Sequence, residues 1–248
     1  MRFLTRTAFR GKIAGEVRKM IRLEDEDLEA FSLGGDAEIA VPFSVFRAAD
    51  GSVTITAYRI ALDVANAFEA QFGSDPFSAA ADCFLRAELT PLMARYGFAP
   101  DRSSSDVILE WERREPYGDL SSEPAILLTD TPDGGFKSLL TFSPGPAPDD
   151  IYSYCAAVTE DGRIVSAAQI NDLPSDDGCP EINVETAPSF RKKGYAASSV
   201  RVLTDALVRH GETVIYACRA SNAASAKTAA AAGFTKRGER RSFVCYSI

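Results

Sequence analysis

Residues 186 to 196 read TAPSFRKKGYA, a basic segment around a single glycine. Upstream lies EINVET (181 to 186), a β-rich run, and downstream Ala196, Val200, Leu203, Ala206 and Leu207 recur at helical spacing until Gly211. A glycine-containing basic loop between a strand and a helix is the design of an anion site. The first amides of a helix have no partner inside it and carry partial positive charge, so a phosphate placed there gains several hydrogen bonds at once. Arg191, Lys192 and Lys193 add full charges, Gly194 lets the backbone approach a ligand closely, and Ala196 keeps the next position small. The geometry suits a pyrophosphate. Taken alone, the same loop is equally well a solvated basic turn that binds nothing.

Working outward, IYSYCAAVTEDG and RIVSAAQIN form two strands joined at Asp161-Gly162, an antiparallel hairpin signal. After the first helix comes a strand TVIYACR, then SNAASAKTAAAAGF, an Ala-rich helix opened by Ser221 or Asn222 as N-cap and closed by Gly233. SFVCYSI ends the chain as a strand. The order is β-β-β-α-β-α-β.

The first hundred residues carry no chemical motif. A hairpin is expected around Asp50-Gly51 between residues 40 and 58. A helix follows, marked by Ile60, Val64, Phe68 and Phe72 and ending at Gly73, then a second marked by Phe77, Ala81, Phe84, Leu85, Leu89, Leu92 and Tyr96 with Pro91 inside it. Strands are expected at 106 to 113, 125 to 130 and 136 to 142, and a loop at 143 to 150. At the N-terminus Phe9, Ile13, Val17, Met20 and Ile21 suggest a surface-charged helix, with a basic targeting segment as the alternative.

The whole chain has 248 residues, 46% hydrophobic and 25% charged, with a net charge of -8, the range of ordinary globular proteins. The acidic balance disfavours nonspecific binding to nucleic acid or anionic membranes and mildly favours cationic substrates. No run approaches the length of a transmembrane helix. Five scattered cysteines without a CxxC pair fit neither a zinc site nor a disulfide framework, and point to a reducing, cytoplasmic setting. The single histidine, His210, excludes multi-His metal centres and is expected at a helix C-terminus, so no metal is expected.

TAPSFRKKGYA followed about thirty residues later by SNAASAKTAAAAGF resembles the Gcn-type N-acetyltransferase (GNAT) superfamily, whose fingerprint is V-x-P-x-x-[RQ]-x-x-G-x-[GA] and then N-x-x-[AS] before a helix ending in G-F. Arg191, Gly194 and Ala196 match the first part, and Asn222, Ser225, Gly233 and Phe234 the second. EINVET is similar to the central strand E-I-[DN]-[IV]-E-T of a bacterial subgroup. The resemblance covers residues 150 to 248 and implies a mixed α/β fold, mostly antiparallel, with an N-terminal α/β extension. It divides the chain into residues 1 to 118, of unassigned role, and a domain at 119 to 248.

The resemblance further implies acetyl-CoA as cosubstrate, its pyrophosphate held by backbone amides of residues 191 to 196, Tyr195 included, and its pantetheine beside EINVET near Glu185 and Thr186. An N–H near Thr186 would polarise the thioester carbonyl. Asn222 and Ser225 would lie near the pantetheine, with an ordinary N-cap as the alternative for Asn222. Attack on the thioester needs a neutral amine, so a base is useful, and period-2 alternation puts Glu181 and Glu185 on one face of the strand as the candidates. Relatives carry a tyrosine seven residues after the asparagine to protonate the leaving thiolate, and here that position is Ala229. Tyr216, Cys218, Cys245 and Tyr246 sit on neighbouring strands as candidate substitutes, with plain core or strand filler as the alternative for each.

The expected activity is acetyl transfer to a primary amine, on a small molecule or on a peptide or protein, by direct attack in a ternary complex. A catalytically silent CoA-binding or sensing module is the alternative. A phosphate or nucleic-acid binder is disfavoured by the acidic charge and by the lack of aromatics interleaved in the basic loop. Oligomeric state stays open, a homodimer among the options.

Overall fold

A computed structural model describes residues 19–23, 30–32, 38–102, 104–128, 154–171 and 178–248. The strand expected at 136 to 142, the loop at 143 to 150 and the first part of the N-terminal helix lie outside them. Two short strands, β1 (Lys19–Leu23) and β2 (Ala30–Ser32), precede a hairpin of β3 (Glu38–Ala48) and β4 (Val53–Ala57). Its turn is the expected one: Gly51 has φ of +83°, and Asp50 Oδ1 accepts from the Ser52 amide at 2.9 Å.

Helices α1 (Leu62–Phe72) and α2 (Ala79–Ala94) follow, α1 led by a single 3-10 turn and α2 capped by Ser78, whose hydroxyl accepts from the Ala81 amide. Their apolar stripes pack on one face of the sheet. Phe68, Leu85, Leu89 and Met93 are fully buried against Phe43, Val45, Ile55 and Phe243, with the rings of Phe43 and Phe68 edge to face at 5.0 Å. Each such side chain contributes about 1.5–3 kcal/mol relative to exposure.

The chain continues through β5 (Phe98–Pro100), β6 (Val107–Arg113), β7 (Ile126–Leu128), β8 (Cys155–Glu160), β9 (Arg163–Ile170) and β10 (Ile182–Thr186). Then come α3 (Tyr195–Arg209), β11 (Val214–Arg219), α4 (Ala223–Ala231) and β12 (Thr235–Ser247). This is the β-β-β-α-β-α-β order read from the sequence. The fold is mixed α+β, with mainly antiparallel sheets flanked by helices.

Two sheets result. One runs β10-β9-β8-β7, all antiparallel; the other runs β1-β4-β3-β12-β6-β11, with β2 beside β3 and β5 beside β12. β6 is inserted between β11 and β12, antiparallel to both, so one sheet is built from segments on either side of residue 118. A second core lies under α3 and α4, where Val200, Leu203 and Leu207 meet Trp111, Ile182, Val214 and Tyr216.

Two sequence expectations are corrected. Met20 and Ile21, read as the end of a helix, lie in β1, which pairs in parallel with β4. A sheet edge overrides a helical period that short. The last strand starts not at Ser242 but at Thr235, because TKRGERR is zipped between β3 and β6. Its charges hid it. Arg241 is 4% exposed and donates to the carbonyls of Pro76, Phe77 and Ser78, while Arg240 and Arg237 pair with the buried Glu110 at 2.8 and 3.4 Å. A buried charge persists when it is paired and hydrogen-bonded.

Candidate active site

The site begins where the two sheets meet. Glu181 and Ile215 form an isolated parallel bridge, and the Ile215 amide donates to the Pro180 carbonyl at 2.9 Å. Beyond it β10 and β11 pair with other neighbours and share no ladder, so they diverge toward their C-terminal ends. Facing backbone is thereby left without a strand partner, which is a slot for an extended ligand able to hydrogen-bond as a strand does. The N-termini of α3 and α4 both stand at the open end.

The loop at the α3 end is pre-shaped. Pro188–Phe190 make one 3-10 turn, Lys192 has φ of +66° and Gly194, the N-cap of α3, φ of +84°. Among the described residues the amides of 192 to 197 make no backbone hydrogen bond, and the helical pattern starts at Ser198, which donates to the Gly194 carbonyl at 3.0 Å. Consecutive free amides near positive-φ residues form a concave nest for an anion. A Cβ on Gly194 would meet open space within 4 Å, so room for a ligand exists there.

The side chains of this loop are disposed differently from one another. Arg191 folds back so that its Nε donates to the Thr186 carbonyl at 3.1 Å, and Lys193 Nζ sits 4.8 Å from the Phe190 ring centroid and 5.7 Å from that of Tyr195. All three cations are exposed. The Tyr195 hydroxyl donates to Glu160 on β8, a contact that raises its pKa, and Phe190 and Tyr195 pack on Ala125, Val158 and Val165. The loop is thus anchored by its aromatic residues, while residues 191 to 194 are exposed and Ala196 partly so.

Thr186 is turned the other way. Its Oγ1 lies 2.8 Å from Ser166 Oγ, which also donates to the Glu185 carbonyl at 3.2 Å and is reached by Ser199 Oγ at 3.4 Å. What Thr186 offers the slot is backbone. Ser166 and Glu160 were not singled out in the sequence; Ser166 signals itself only as an inward polar position in a run of small residues.

At the other N-terminus, Asn222 caps α4, its Oδ1 accepting from the Ser225 amide at 3.1 Å. Ser225 Oγ meets the hydroxyl of the buried Tyr216 at 2.9 Å. Burial raises the pKa of Tyr216, and of Cys218 beside it. Ala229 is fully buried in the core under α4, Cys245 lies in the separate core under α1 and α2 with its thiol pushed up to about 12 by burial, and Tyr246 is exposed. His210 is the exposed C-cap of α3.

The two carboxylate candidates share a face but not a place. Four residues of extended chain, ~13 Å, separate Glu181 at the closed apex from Glu185 toward the open end. Glu181 Oε1 accepts from Asn171 Nδ2 at 3.4 Å. Among the described residues no group of His, Cys, Asp or Glu is arranged to hold a metal ion, and no helix is long and apolar enough to cross a membrane.

The model of the acetyltransferase (GNAT) family matches residues 106–234, more than half of the chain. No curated protein matches the sequence. Among solved structures, one described as a GNAT-family acetyltransferase from Novosphingobium aromaticivorans shares 21% identity over 60% of this chain and 67% of its own, with a TM-score of 0.44. A GCN5-related N-acetyltransferase from Sphaerobacter thermophilus shares 14% over 88% and 82%, TM-score 0.43. A GCN5-related N-acetyltransferase-like protein from Streptococcus suis shares 12% over 90% and 89%, TM-score 0.41.

Proposed function

This chain belongs to the GNAT acetyltransferase family, and from that premise we propose that it transfers an acetyl group from acetyl-CoA to a primary amine. The observation that carries the reading is the pair of parallel strands splaying from the Glu181–Ile215 bridge toward the free amides of 192 to 197. The pyrophosphate takes the nest at Lys192, Lys193, Gly194, Tyr195 and Ala196. Its charge recruits the Arg191 guanidinium, and the pantetheine amides then take up the backbone of Thr186, next to Glu185, in the slot. Asn222 and Ser225 close the opposite wall.

Chemistry follows from placement. The neutral amine attacks the thioester carbonyl carbon, a backbone amide near Thr186 stabilises the oxyanion, and the C–S bond breaks with its electron pair going to sulfur. The proton lost by the amine passes to Glu181 or Glu185. A thiolate with a pKa near 8.5 leaves with little assistance, which fits the apolar Ala229 on α4. Cytosol is the setting we assign, and an amine, not a nucleic acid or a membrane, the partner.

The test is a calorimetric titration with acetyl-CoA, followed by an assay of thiol release over a panel of amines. Micromolar binding with amine-dependent thiol release supports the transferase. Binding without turnover of any amine supports a silent CoA sensor, and absence of binding removes both.

A further inference from the structure

Arg191 stands between the two halves of the slot. Along residues 180 to 187 the backbone alternates in direction. The Ala187 amide donates to the Val165 carbonyl and the Glu181 carbonyl accepts from the Asn171 amide, so odd-numbered positions turn their N–H and C=O toward β9. Even-numbered positions turn theirs toward β11, as Pro180 does when its carbonyl accepts from the Ile215 amide. Val184 and Thr186 therefore present backbone to the slot. Of these groups the Thr186 carbonyl is engaged: the 3-10 turn Pro188–Phe190 reverses the chain, and Arg191 Nε comes back to donate to it at 3.1 Å. Lys193 is held instead over the rings of Phe190 and Tyr195. One guanidinium thus lies beside the nest of free amides and sits on the last carbonyl of the strand that borders the slot.

Resting on the transferase reading above, we infer that Arg191 selects the donor: it withholds the Thr186 carbonyl from a pantetheine thioester until a pyrophosphate draws the guanidinium into the nest. A pantetheine amide is a neutral donor and has to displace a charged one to pair with that carbonyl, which is an unfavourable exchange. A pyrophosphate reverses the balance, because it offers the guanidinium a charged, bidentate partner that a single carbonyl does not match. Arg191 is exposed, so the exchange moves one side chain and no backbone. The favoured donor is a thioester that carries the pyrophosphate of coenzyme A, over one that ends at the pantetheine.

The experiment titrates acetyl-CoA and S-acetylpantetheine into the parent and into Arg191→Ala by calorimetry, the second ligand with and without saturating inorganic pyrophosphate. We expect opposite signs for the two donors. The variant should bind acetyl-CoA about tenfold or more weakly, having lost a charged contact to phosphate, and S-acetylpantetheine about three- to tenfold more tightly, having released the carbonyl. Pyrophosphate should tighten S-acetylpantetheine binding to the parent by a similar factor and leave the variant unchanged. A variant that binds both donors more weakly makes Arg191 a brace and overturns the selection. So does S-acetylpantetheine binding that neither the substitution nor pyrophosphate alters. A parent that fails to bind acetyl-CoA overturns the transferase reading, whereas a missing sign reversal in a parent that does bind it overturns the role of Arg191 alone.

Discussion

Glu181 and Ile215 hold the two sheets together at a single parallel bridge among the described residues, and everything that makes a binding slot follows from the divergence beyond it. The bridge fixes one end of the slot, and the helix N-termini that succeed each strand fix the other.

Gly194→Glu tests the nest. The added Cβ meets no atom within 4 Å, so the change strains only the backbone at φ of +84°, by about 1–2 kcal/mol, while its carboxylate enters the space assigned to a pyrophosphate. Affinity for acetyl-CoA should fall more than about a hundredfold by calorimetry, equivalent to roughly 2.7 kcal/mol. Circular dichroism should stay native. Unchanged affinity would remove the site from residues 191 to 196.

Glu181→Gln and Glu185→Gln separate the two carboxylates. Whichever is the base should lose rate most at neutral pH and recover as pH approaches the amine pKa near 10.4, where the acceptor is neutral without help. Acetyl-CoA binding should be nearly unaffected in both. A pH-independent loss in either variant would mark that residue as a contact and not a base.

Gly238→Ala addresses the fold. A Cβ there would lie 2.4 Å from the Arg47 carbonyl oxygen and 2.5 Å from Phe46 Cζ, in the strand that joins both regions of the chain. The ring can turn but the carbonyl belongs to β3. Loss of about 3 kcal/mol, read as an earlier urea midpoint, is expected; a midpoint equal to the parent's would contradict the close approach.

Thiol chemistry should follow burial. Cys83 is exposed, whereas Cys155 and Cys245 are buried with pKa values pushed up to about 12 by desolvation, so both stay protonated at pH 8. Alkylation of the native protein at that pH should modify Cys83 and spare Cys155 and Cys245, which react only in denaturant. Mass mapping of the alkylated peptides decides it.

Much of the local structure was legible beforehand. The Asp50-Gly51 and Asp161-Gly162 turns, the Asn222 cap, the ends at Gly211 and Gly233, and the free amides before α3 follow from backbone preferences acting over a few residues. The candidate site was legible for the same reason, since a strand, a glycine-containing loop and a helix start are contiguous in the chain.

Pairing between distant segments was not. Nothing in VILEWER says that it enters between β11 and β12, and nothing in TKRGERR marks a strand, because its charges are met by groups far off in the chain, among them Glu110 on β6, Arg47 on β3 and the carbonyls of Pro76, Phe77 and Ser78. Likewise Met20 and Ile21 became strand only once the edge of β4 was there to pair with. Turns and caps are decided by torsions and neighbouring amides within a few residues, so their residues name them. Strand partners and buried ion pairs draw their energy from groups tens to more than a hundred residues away, and only the assembled sheet brings those groups within reach.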